Sequence, residues 1–183
     1  GSDDESPLIA SGGLGKVPAI NVYGYNGMSF EAVATLSGFF TKAVVQVCFS
    51  KPRDVDGHLL LFAVGQDYKI AVYDVDTREN NCKFGKMLGS AQGPKGKVFH
   101  ATANWQRNEF MTCGEKHVLT WSLSTTGKPT EAKVKVESKH RNKLFISACG
   151  TQEGDYIVGT NKGDLIVVSG NKQVSCQEVQ HGG

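Results

Sequence analysis

The side chains of this 183-residue chain that could carry out chemistry are few and far apart. Its five histidines, His58, His100, His117, His140 and His181, show neither the H-x-x-x-H nor the H-E-x-x-H spacing that puts two imidazoles on one metal ion. His117 reads as a hairpin residue and His100 as a strand residue, so no metal ligand is assigned. A site assembled across blades is the minor reading. The five cysteines (Cys48, Cys82, Cys113, Cys149, Cys176) contain no C-x-x-C pair, which leaves zinc-ribbon and thioredoxin-type chemistry without support. Three of them fall in apolar runs, where cysteine acts as a small hydrophobe. Free, mostly buried thiols suit a reducing cytosol, and the lack of any N-x-S/T sequon agrees with that placement.

Three stretches resemble ligand loops and fail on register. "RDVDGH" (Arg53–His58) and "DVDTREN" (Asp74–Asn80) put His58 and Arg78 where a calcium loop needs an oxygen donor, so both read as turns. "QGPKGK" (Gln92–Lys97) lacks the first glycine of a phosphate-binding loop and is followed by Val98 rather than Ser or Thr. It reads as a loop between larger units. No G-x-S-x-G elbow occurs, and no nucleophile, base and acid can be assigned as a set. The sequence argues for no enzyme and no cofactor.

Charge is concentrated in one place. In "KPTEAKVKVESKHRNK", Lys128, Lys133, Lys135, Lys139, Arg141 and Lys143 stand against Glu131 and Glu137, a local excess of +4. It reads either as a solvated outer strand and loop or as a patch for an acidic partner, whose attraction is screened over about 8 Å at physiological salt. Over the whole chain the net charge is only +2, which makes neither nucleic acid nor membrane a default partner. No apolar run reaches the roughly 20 residues that span a bilayer.

The elements that must position these residues repeat. "INVY" (Ile20–Tyr23), "IAVY" (Ile70–Tyr73), "VLTW" (Val118–Trp121) and "LIVV" (Leu165–Val168) start 50, 48 and 47 residues apart. Ahead of each lies a short strand ending in glycine, at Gly12, Gly65, Gly114 and Gly159. A third apolar run precedes three of the pairs: "VVQVCF", "VFHATA" and "LFISAC". A more polar run follows all four: "EAVATL", "GKMLGS", "AKVKVE" and "QVSCQEV". The 22 glycines punctuate these short elements as turns. Hydrophobic residues at 39% and charged residues at 21% are a globular balance, and no window keeps a helical period.

A four-strand unit recurring at this interval is the signature of a propeller blade. Three inner strands are expected to be covered on both faces by neighbouring blades. The fourth is an exposed edge that carries charge to discourage stray pairing. Trp121 is expected to pack between adjacent blades, where a large aromatic buries the most area.

With Trp121 closing a third strand and Asp67 and Asp164 in hairpins, the chain resembles the WD-repeat propellers. The Gly-His dipeptide of that family is missing from the repeat junctions, so its hydrogen-bond tetrad is expected to be mostly absent, with packing in its place. "SGGLGKVPAINVYG", "GEKHVLTWSL" and "NKGDLIVV" resemble successive phrases of the echinoderm microtubule-associated-protein-like (EMAP-like) family, in the order found there. The closing "VQHGG" is similar to the start of a further blade. Val168 stands where that family has a Trp, and "FFTKA" (39–43) lacks its histidine.

The resemblance implies an all-β, WD-repeat-type β-propeller, a fragment of just under four blades covering 8–37, 44–90, 98–137 and 144–179 within residues 8–181. Blade one lacks its innermost strand, which leaves fifteen strands. Gly1-Ser2 reads as a cloning remnant and residues 1–7 as leader, so the chain is expected to be a piece of something longer. The resemblance further implies a non-catalytic, cytoplasmic scaffold of the cytoskeleton that associates with microtubules, with the basic patch facing the acidic tails of tubulin. The alternative is a general protein–protein adaptor propeller that does not bind tubulin. Half a ring leaves an apolar blade face bare at each end, so the isolated fragment is expected to self-associate.

Overall fold

The computed structural model describes residues 7–50, 59–75 and 85–178. Within them the chain forms fifteen strands and a single 3-10 turn, Ser138–His140. The strands build four antiparallel sheets, each ordered as the chain runs. Blade one holds β1 (Leu8–Gly12), β2 (Ala19–Tyr25) and β3 (Phe30–Ser37). Blade two holds β4 (Val44–Phe49), β5 (Leu60–Gly65), β6 (Lys69–Asp74) and β7 (Lys86–Gln92). Blade three holds β8 (Val98–Ala103), β9 (Glu109–Gly114), β10 (His117–Leu123) and β11 (Pro129–Lys133). Blade four holds β12 (Phe145–Gly150), β13 (Tyr156–Thr160), β14 (Leu165–Ser169) and β15 (Lys172–Gln177).

Alternation of side chains across a strand decides which blade each residue joins. Leu61, Ala63, Ala71 and Tyr73 of blade two face blade one and meet Ile20, Val22 and Leu36. Their sequence neighbours Leu60, Phe62, Val64, Ile70 and Val72 face blade three. Blade three repeats the division, with Phe110, Leu119 and Trp121 turned to blade two and Met111, Cys113 and Val118 turned to blade four. The innermost strands of blades two, three and four lie side by side, β4 against β8 and β8 against β12, and β4 also lies against β1 of blade one.

The middle interface is anchored by aromatic rings. Phe110 lies 4.3 Å from Phe62 of blade two and 5.9 Å from Trp121, in stacked geometry on both sides. Trp121 is thus the interblade residue expected from its sequence position. Its buried Nε1–H donates to Thr112 Oγ1 at 2.9 Å, the partner that an enclosed indole requires.

The glycines that end β1, β5 and β9, and Gly159 next to the end of β13, have a common cause. A Cβ on Gly12 would come 2.6 Å from the Val44 carbonyl oxygen, and one on Gly114 would meet the Lys97 carbonyl and the His117 ring. At Gly65 it would meet Phe40 and Asp67, and at Gly159 Ser147. Each glycine lets a strand end pass close beside a neighbouring segment.

Two expectations are corrected. The inner three strands are not equally covered: β5, β6, β9 and β10 are buried on both faces, whereas β4, β8 and β12 are half-buried, with exposed positions in β4 and β12. An innermost strand is itself a sheet edge, with one hydrogen-bonded neighbour rather than two. The outer strand of blade three is Pro129–Lys133, not "AKVKVE". Val134 N still donates to Val118 O of β10 at 3.1 Å, and residues 135–137 then leave for blade four: Lys135 N donates to Asn171 O at 2.8 Å, and Gln173 N donates to Lys135 O at 3.0 Å. This forms a parallel bridge beside β15. Val134 is buried in the core between blades three and four, and Val136 packs against that core. An extended strap alternates just as an edge strand does, so periodicity alone could not separate them.

The end blades show period-2 burial. Ile20 and Val22 of β2 are enclosed while Asn21 and Tyr23 are partly exposed, and Ile166 and Val168 of β14 are enclosed while Leu165 is exposed. Replacing Phe110 with Ala is expected to cost about 3–5 kcal/mol in urea unfolding, because it opens a cavity between two blades. Leu165→Ala, on the open face, should change stability by no more than about 0.5 kcal/mol.

Candidate interaction surface and its polar clasps

The hairpins of blades two and four each place an aspartate where it reaches the segment arriving from the previous blade. After β5, Tyr68 adopts φ 61, which closes the turn tightly over Asp67. Asp67 Oδ2 accepts from Thr41 N and from Thr41 Oγ1, both at 2.8 Å. Lys69 Nζ stands 3.6 Å from the same oxygen, donates to Phe39 O at 3.0 Å and lies over the Phe39 ring. After β13, Asp164 Oδ2 accepts from Thr160 Oγ1 at 2.7 Å and from Lys143 Nζ at 2.6 Å.

Burial pushes the Asp67 carboxyl upward, but the Thr41 hydrogen bonds and Lys69 outweigh it and hold the group below its ordinary range. Asp164 is held low by Lys143 first and Thr160 second. The polar clasp of a WD blade was expected to be mostly absent. It persists here with other residues, Thr41 and Lys143 in place of a histidine.

Blade three uses a different set. His117 Nδ1 lies 3.1 Å from Glu115 O, and burial lowers its pKa against the opposing pull of Glu115. Blades three and four are tied through Asn104, which is buried. Its Nδ2 donates to Gly154 O at 2.8 Å while its Oδ1 accepts from Gln106 N and Arg107 N. Arg107 also donates to Gly154 O, at 2.9 Å, and Tyr156 donates to Glu109 Oε1 at 3.1 Å. Burial and the Glu109 charge push the Tyr156 phenol well up. Sequence reading missed this network. Its only local sign is an Asn directly after β8, where an Asx turn begins.

The six basic residues are spread along one connection rather than gathered on one strand. Lys128 precedes β11, Lys133 ends it, Lys135 sits on the strap, Lys139 lies in the 3-10 turn, and Arg141 and Lys143 follow. All are exposed except Lys143, which is half-buried. Lys143 is committed to Asp164, and Lys139 pairs with Glu178 at 2.6 Å and Glu137 at 3.3 Å. Those two carboxylates raise the Lys139 pKa, Glu178 more than Glu137. Among the described residues, Lys128, Lys133, Lys135 and Arg141 carry no ion pair, so the unneutralised charge belongs to these four.

The remaining candidates divide. "RDVDGH" and all but the first two residues of "DVDTREN" lie outside the described residues, as do Cys82, His58 and the closing "VQHGG". "QGPKGK" is the loop from β7 to β8, and Lys97 O packs at Gly114. The four described cysteines are free. Burial pushes the Cys113 thiol up to about 12, as for a core hydrophobe, whereas Cys149 is exposed on the open face of blade four. "Mostly buried" therefore holds for Cys113 alone; Cys48 and Cys176 are half-buried.

Four consecutive radial sheets of this kind define a WD-type β-propeller, seen here as part of a ring. The chain is similar to the β-propeller domain of Cps50 (Swd1) from Myceliophteria thermophila, with a TM-score of 0.68 and 15% identity over 97% of this chain and 56% of that one. It is also similar to the WD40 repeats of RRP9, with a TM-score of 0.67 and 16% identity over 93% of this chain and 46% of that one. In sequence it resembles echinoderm microtubule-associated protein-like 1. The identity is 28% over 131 residues for the Mus musculus protein and 29% over 132 for the Homo sapiens one. The 77 kDa echinoderm microtubule-associated protein of Strongylocentrotus purpuratus is 26% identical over 154 residues, which is 82% of this chain and 21% of that protein. The match to the Mus musculus relative covers 71% of this chain but only 15% of that protein's length. No family model matches it.

Asp164→Asn should cost about 1.5–3 kcal/mol at neutral pH, the usual worth of hydrogen bonds to a charged group. Because the folded pKa of Asp164 is depressed, its contribution is complete above about pH 4, the unfolded carboxylate range, and fades as pH falls through the folded value. Thermal melts from pH 7 to pH 2 should therefore show a shallower acid decline for Asp164→Asn than for the unaltered chain.

Proposed function

We propose that this chain is part of a non-catalytic scaffold of the cytoskeleton whose propeller associates with microtubules in the cytoplasm. The observation that supports this best is the sequence similarity, at 26–29% identity, to relatives named as microtubule-associated. The repeated sheets add a second support. A propeller presents turns and rim strands on a rigid frame, which suits protein recognition.

Within that reading, Lys128, Lys133, Lys135 and Arg141 are the contact residues for an acidic partner such as the tubulin tails. They are exposed and their charge is not spent internally. Lys139 and Lys143 contribute less, since each already neutralises a carboxylate. The test is co-pelleting of the full-length protein with microtubules. Reversing charge at Lys128, Lys133, Lys135 and Arg141 should weaken pelleting several-fold and reduce its salt dependence, while Lys139→Gln should change it little. Full retention of pelleting after the four reversals would remove the patch from the interface. No pelleting of the unaltered protein would favour the adaptor reading instead.

The two open faces have a place in the same reading. On blade one Ile9 and Phe30 are exposed, with Tyr23 and Tyr25 between them half-buried; on blade four Ile146 and Leu165 are exposed. Further blades would cover both faces, and in their absence the 183-residue chain self-associates. Sedimentation velocity should show mass rising with concentration, and Ile9→Asp with Leu165→Asp should suppress it. A clean monomer at high concentration would end this proposal.

A further inference from the structure

At the outer corner of blade four, three side chains of metal-ligand type come together from separate parts of the chain. His140 closes the 3-10 turn, Cys176 lies near the end of β15, and Glu178 follows that strand. A ring nitrogen, the thiol sulfur and a carboxylate oxygen lie within 4.8 Å of one another. His140 is fully buried, and neither Nδ1 nor Nε2 has a hydrogen-bond partner. An enclosed imidazole with both nitrogens orphaned forfeits hydrogen bonds it would have in water. Its neighbours offer it no proton acceptor or donor in hydrogen-bonding geometry, but they do offer what a shared cation needs.

We propose that His140, Cys176 and Glu178 bind a single zinc ion, which fastens the connection from blade three to the outer strand of blade four. Imidazole nitrogen, thiolate sulfur and carboxylate oxygen are the three donor types that zinc takes in proteins. Magnesium and calcium prefer oxygen throughout, and a thiolate disfavours them. Zinc bond lengths set neighbouring ligand atoms of a tetrahedral site roughly 3.5 Å apart, so closure needs about an ångström of side-chain adjustment. Glu178 is exposed and can supply most of it.

The nearby cations do not bar the site. Lys143 is neutralised by Asp164 at 2.6 Å. Lys139 holds Glu178 through Oε1 alone and also contacts Glu137, to which it can turn when the metal takes the Glu178 carboxylate. Three protein ligands leave a fourth position for water. Binding releases the thiol proton to solvent and changes no oxidation state.

The experiment is titration of the reduced 183-residue chain with cobalt(II), then zinc(II). Cobalt should produce a near-ultraviolet sulfur-to-metal charge-transfer band and the visible bands of four-coordination, and zinc should displace both. Zinc should also raise the thermal midpoint. Cys176→Ser should abolish the charge-transfer band, and Glu178→Gln should weaken zinc binding at least tenfold. Both residues lie near the surface, and far-ultraviolet circular dichroism checks that each variant folds. Cys149→Ser, which removes an exposed thiol elsewhere, should leave the spectrum and affinity unchanged. Absence of saturable binding at tens of micromolar metal, or equal binding by the unaltered chain and Cys176→Ser, would overturn the proposal.

Discussion

A sheet that is apolar on both faces cannot stand in water; it must lie between two others. Leu61 and Phe62 are adjacent in sequence, both fully enclosed, and belong to different cores. That condition makes the blades stack, places the large aromatics at the boundaries, and requires glycine where strand ends pass closely. The polar residues then act at the rims and turns, where the stacking leaves backbone and charge accessible.

The clasps show how tolerant this plan is of chemistry. Asp67 and Asp164 occupy corresponding turns, yet one is answered by a threonine amide and hydroxyl and the other by a lysine ammonium. Blade three carries no aspartate in its turn, and there Glu115 N donates to Lys97 O of the incoming segment at 2.9 Å. The physical need is constant: each incoming segment must be held to the hairpin it crosses. Different donors meet it, so a motif defined by residue identity fades while the architecture remains. The outer surface can then vary freely, as the unpaired basic residues around β11 illustrate.

Much of the fold was legible because its main signal is local. "INVY", "IAVY", "VLTW" and "LIVV" all fall within β2, β6, β10 and β14, and the first blade, three-stranded among the described residues, was visible as one apolar run fewer. What failed was partnership. "AKVKVE" alternates correctly, but nothing in its pattern says that Val134 and Val136 serve the core with blade four while Lys135 bonds beside Asn171. The basic cluster was likewise visible as composition. Its division into paired Lys139 and Lys143 and unpaired Lys128, Lys133, Lys135 and Arg141 depends on Asp164, in the turn before β14, and Glu178, just after β15. His140, Cys176 and Glu178 show no ligand spacing, since the turn and β15 meet only in three dimensions.

The strap through residue 135 has a mechanical meaning. Where it runs beside the start of β15, the rim of blade four is stitched by chain that has just left blade three, through two backbone hydrogen bonds and a reciprocal pair between Glu137 and Gln173. Opening that rim therefore has to break contacts made by the segment that joins the two blades. Blades three and four are thus coupled twice, by the apolar core that holds Val134 and by backbone lacing at the outer edge.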